Sequence, residues 1–84
     1  MQKGGGKAEM QKYRVNIVEL KKIMVEQNLD KIIELSAASG VNRNTLSQIL
    51  NDSVRPSTSV IERLMLVLHI PPERVGAIFF SPDL

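Results

Sequence analysis

From residue 16 onward the apolar positions fall mainly three or four apart, the spacing of one face of a helix, and no strand signal of any length appears. Asn16 precedes Ile17 and is followed three residues later by Glu19, the pattern of a capping box. Ile17, Leu20, Met24 and Gln27 keep helical spacing, with Ile23 beside them, which predicts a first helix over residues 17–27. Asn28-Leu29 breaks it. A second helix is expected over 30–38, with Ile32, Ile33 and Leu35 as its apolar face. Gly40 then offers the backbone freedom that a tight or left-handed turn requires. A third helix is expected over 43–51, with Asn42 as N-cap and Leu46, Ile49 and Leu50 pointing one way. Residues 51–56 read as a loop. A fourth helix starts after Ser57, or after Ser59 with Glu62 completing an alternative capping box, and runs to Leu68. Pro71-Pro72 ends it and opens a fifth from Pro72 to Ile78. Five short helices joined by short loops predict a compact all-α domain.

Ahead of that pattern, residues 1–12 hold Gly4-Gly5-Gly6 and little that packs. They read as a flexible basic arm before a domain over 13–84. Met1-Gln2-Lys3 recurs as Met10-Gln11-Lys12, which leaves open whether Met10 is the genuine start.

With 84 residues there is room for a single domain. There is no cysteine and one histidine, which excludes disulfides, thiolate zinc sites and multi-histidine metal sites. No apolar run approaches the roughly 20 residues of a membrane helix, and no N-terminal stretch reads as a signal peptide. A soluble, cytoplasmic protein without a cofactor is expected. The net charge of +2 is unevenly placed: residues 1–14 carry +3 and residues 15–84 carry −1. The domain itself is almost neutral, so any affinity for phosphates depends on where its few cations stand.

Residues 32–51 carry the functional signal. Two helices joined by a short turn cross steeply. Such a crossing needs a small residue in the first helix, a residue free of a Cβ in the turn, and apolar residues inside the second. Ser36, Gly40, and Leu46 with Ile49 meet these needs at consistent spacing. At about 100° per residue, Asn44, Ser47, Gln48 and Asn51 lie together on the outer face of the third helix, with Arg43 in its first turn. Arginine and side-chain amides have the paired donors and acceptors that suit base edges. That face holds no carboxylate, whereas an ordinary solvated face mixes Lys with Glu.

The stretch LSAASGVNRNTLSQILNDSVRPS, continued by LMLVLHIPPERV, resembles the Cro/CI-type (XRE) helix-turn-helix family of lambda-repressor-like fold. The resemblance spans residues 16–80 and rests on Leu35, Gly40-Val41, Leu46-Ser47, Pro56-Ser57, and Leu68 with Ile70. It implies five helices, with the second helix of the motif in the DNA major groove, and dimers on half-sites about one turn apart. The family's base-contacting positions fall on Arg43, Asn44 and Gln48, with Ser47 nearby. Its phosphate contacts fall on Asn42 and Thr45, and on Asn51 and Arg55 in the following loop. The family's frequent Gln at the start of the second helix is Ile32 here, with Lys31 as the neighbouring candidate for that phosphate. Ser39 stands where the family usually has an apolar residue, and its usual loop Gly is replaced near Asp52-Ser53.

The remaining conspicuous residues read as structural. His69 ends an apolar helix, Met24 and Met65 are core filler, and Phe79 is core, while Phe80 belongs to the core or to a dimer contact. Leu64 to Leu68 is apolar on every side, which suggests a central helix or one facing a second subunit. The leading expectation is a sequence-specific double-stranded DNA-binding regulator, repressor-like and homodimeric, similar to small phage, prophage or mobile-element regulators. Its control would come from its own concentration, its dimer equilibrium or a partner. The alternative is a protein-interaction module of the same fold, an antitoxin or adaptor. An enzyme is not expected: no nucleophile–base pair or metal set is visible, and Gly4-Gly5-Gly6 lacks the context of a phosphate loop.

Overall fold

Five helices stand where the periodicity places them. The computed structural model describes residues 13–82, so the arm and the alternative start at Met10 lie outside the described residues. The helices are α1 (Ile17–Glu26), α2 (Ile32–Ser39), α3 (Arg43–Leu50), α4 (Thr58–Val67) and α5 (Pro72–Phe79). The chief shift is at α2, which begins at Ile32 rather than residue 30 because Lys31 before it is still extended (φ −94°, ψ 132°).

Side chains satisfy several helix starts. Asn16 Oδ1 accepts from the Glu19 amide at 3.2 Å, and Asn42 Oδ1 from the Asn44 amide at 2.7 Å. Ser57 Oγ accepts from the Val60 amide at 3.2 Å, which decides the start of α4 in favour of Ser57 over Ser59. The capping box at α1 is only half formed. The Asn16 amide donates to the Ile78 carbonyl at 2.6 Å, and the Glu19 carboxylate accepts from Arg74 at 2.5 Å. Both reciprocal partners come from α5, which packs across the start of α1.

That packing also corrects the expectation of no strand. β1 (Tyr13–Arg14) pairs antiparallel with β2 (Ser81–Pro82), Tyr13 opposite Pro82 and Arg14 opposite Ser81. A two-residue bridge has no period to read. It forms because α1 and α5 bring the two segments side by side, and the domain remains all-α.

Three of the five helix ends follow one rule. α1, α3 and α4 each close with a left-handed residue after the cap: Asn28 (φ 59°), Asp52 (φ 62°) and His69 (φ 57°). The next amide then reaches back into the last turn: Leu29 to the Met24 carbonyl, Ser53 to Gln48, Ile70 to Met65, at 2.8–2.9 Å. α2 ends differently: its left-handed residue is the cap itself, Gly40 at φ 77°, and the next amide, that of Val41, donates to Ser39 Oγ. Asp52 thus occupies the loop position where the resemblance leads one to expect Gly.

The core draws on every helix, including Leu20 and Met24 of α1, Leu35 of α2, Leu46 of α3, Leu64 of α4 and Phe79 of α5. Phe79 is buried, whereas Phe80 is half exposed. The apolar run of α4 divides: Leu64 and Leu68 are buried, and Leu66 is 72% exposed. α4 is therefore surface-facing on one side.

Candidate nucleic-acid interface

The turn between α2 and α3 is held by hydroxyls. Ser36 Oγ donates to the Val41 carbonyl at 2.6 Å. Ser39 Oγ donates to the Leu35 carbonyl at 2.7 Å and accepts from the Val41 amide at 3.1 Å. Ser39, in place of the family's usual apolar residue, is buried with its hydroxyl engaged on both sides. Arg63 of α4 adds a donor to the Ser39 carbonyl at 3.4 Å. Gly40 carries the left-handed step and its amide returns to the Ser36 carbonyl at 2.8 Å. Buried Val41 then roots the chain before Asn42 caps α3.

α3 leaves this turn with Leu46 and Ile49 buried beneath it. Arg43, Asn44 and Gln48 are exposed on the outer side. Ser47 and Thr45 are half buried on its two flanks. Asn42 and Asn51 stand at the two ends as N-cap and C-cap, both exposed. The cap occupies Asn42 Oδ1, so its amide nitrogen is the donor end toward any anion. Arg55 is exposed in the loop that follows, and Lys31 is exposed at the start of α2. Ile32 is half buried and packs against the core, so this position is turned inward here. On the Ser47 flank, Leu50 and Asn51 face Lys21, Met24 and Val25 of α1, with Asp30 and Ile32, across a groove of about 330 Å³.

Two arginines outside the sequence reading also bear on this surface. Arg63 braces the turn across 24 residues. Arg14 forms an ion pair with Asp52 across 38 residues, in the loop just past α3. Separations of this size leave no periodic trace, and Arg14 reads in one dimension as part of the basic N-terminal segment.

A family model described as "Helix-turn-helix" matches residues 20–75, two thirds of the chain. The chain belongs to this family, the Cro/CI-like (XRE) type of helix-turn-helix. It is accordingly a DNA-binding helix-turn-helix domain of the regulator class. No curated protein and no solved structure matches it. Among the described residues, no helix is long and apolar enough to cross a membrane.

Proposed function

We propose that the protein is a sequence-specific double-stranded DNA-binding regulator, repressor-like in action, that binds as a homodimer with α3 in the major groove. The observation that carries this reading is the exposed trio Arg43, Asn44 and Gln48 on a helix whose opposite side is buried in the core. Arginine pairs bidentately with guanine, and Asn or Gln with adenine. In this reading Arg43, Asn44 and Gln48 read bases, with Ser47 at the groove edge. Lys31, Asn42, Thr45, Asn51 and Arg55 position the backbone. In this reading the domain over residues 13–84 does this work.

The test is selection of bound duplexes from a random pool at about 0.15 M salt, a concentration at which non-specific phosphate attraction is well screened. An enriched two-fold motif with half-sites about 10 base pairs apart is the expected result. Absence of enrichment, together with stoichiometric capture of a protein partner, would shift the assignment to an antitoxin or adaptor of the same fold. The near-neutral charge of residues 15–84 is the feature that favours this second reading.

A further inference from the structure

We propose that Lys21 of α1 is an additional phosphate-contacting residue, brought to the Ser47 flank of α3 by the packing of the two helices; this rests on the DNA-binding reading above. Arg43 stands in the first turn of α3, and from there to Arg55 the chain holds no other Lys or Arg. The later part of α3, with Ser47, Gln48 and the C-cap Asn51, therefore has no cation of its own. Duplex affinity comes chiefly from cations set against phosphates, and residues 15–84 carry a net charge of only −1. Charge on this flank has to be supplied by a neighbouring element.

α1 supplies it. Lys21 lines the groove of about 330 Å³ that Ser47 and Asn51 also line, with Val25 and Leu50 among its apolar walls. Helical spacing accounts for the placement. Leu20, Ile23 and Met24 are the buried residues of α1, and Lys21 borders that buried face one turn before Met24 and Val25. Lys22 is also exposed, but it lies about 100° further round the helix and does not line the groove. The groove holds one carboxylate, Asp30, and among the described residues neither Lys21 nor Asp30 is in an ion pair. A lysine can lay its methylene stem along apolar walls such as Val25 and Leu50 and keep its ammonium at the rim. A phosphate at that rim accepts from Lys21 together with the side-chain amide of Asn51. Asp30 opposes the contact, because its charge repels the same phosphate.

The experiment measures binding of selected and random duplexes between about 50 and 200 mM salt, for the full chain and for Lys21→Ala, Lys21→Gln, Lys22→Ala and Asp30→Asn. Lys22→Ala removes the same charge one residue away, off the groove. Arg43→Ala serves as the base-reading control, and circular dichroism melts report folding. Lys21→Gln keeps most of the stem, so it carries the test if Lys21→Ala loses stability. The expected result is a loss of about three- to tenfold for either Lys21 variant at the low-salt end, on both duplexes, with the salt slope smaller by about 0.9. Lys22→Ala is expected to leave the slope unchanged, and Asp30→Asn to tighten both duplexes. If Lys22→Ala matches Lys21→Ala in loss and slope, the overall charge of α1 is at work and not a contact at the groove, and the proposal is overturned. Weaker binding by Asp30→Asn would overturn it too, because a carboxylate beside a bound phosphate can only repel it. If the full chain binds and Arg43→Ala weakens it while neither Lys21 variant does, only the Lys21 assignment fails. If the full chain binds no duplex, both readings fall.

Discussion

The Arg63 guanidinium lies over Gly40, with Nη1 2.9 Å from where a Cβ at that residue would stand, and donates to the Ser39 carbonyl. Two effects therefore oppose a side chain at position 40. The contact with Arg63 is the lesser, because the end of a long flexible side chain can move aside. The backbone is the greater: at φ 77° an L-residue is strained. Gly40→Ala is expected to destabilise the domain by about 1–2 kcal/mol, the cost of a left-handed L-residue. Urea denaturation would measure it. Substantial rescue by Arg63→Ala would mean that the contact, and not the backbone, dominates.

Ser39 tests the hydroxyl network. Removing Oγ leaves the buried Val41 amide without the acceptor seen here. Ser39→Ala is expected to cost about 1–3 kcal/mol, the range for stranding a buried donor. A neutral Ser39→Ala in the same denaturation assay would show that an apolar residue serves the turn equally well, as the family's usual pattern would have it.

His69 tests the left-handed helix ends. It adopts φ 57° after α4, is exposed, and is less suited to this region than glycine. His69→Gly is expected to stabilise the domain by up to about 1 kcal/mol. Asn28→Gly should gain less, since Asn visits this region readily. The rank order of the two melting temperatures checks the argument, and a loss of stability in His69→Gly would contradict it.

Arg43 and Arg55 separate base reading from positioning. Arg43→Ala is expected to cost about 1–3 kcal/mol on the selected site and to relax preference at one base pair. Arg55→Ala should weaken selected and random duplexes alike and reduce the salt slope by about 1. Titrations of both duplexes across a salt series would distinguish them, and an equal loss from Arg43→Ala on both duplexes would remove it from the base-reading set.

The sequence by itself determined the five helices, the N-caps Asn16 and Asn42, the turn at Gly40, the apolar face of α3 and membership of the helix-turn-helix family. All of these depend on residues within a turn or two of one another, where spacing and capping chemistry act directly. The exposure of Arg43, Asn44 and Gln48 was legible for the same reason, because the outer face of a helix follows from its buried face. The tertiary structure alone decided what depends on long separations. It gave the Asn16 amide and the Glu19 carboxylate to α5 rather than to a capping box. It paired Tyr13–Arg14 with Ser81–Pro82. It laid Arg63 over the turn and set Arg14 against Asp52. It turned Leu66 outward from an apolar run. Such partners meet only after the helices have docked, and the crossing of helices is set by packing of the whole core, for which no local pattern is a record.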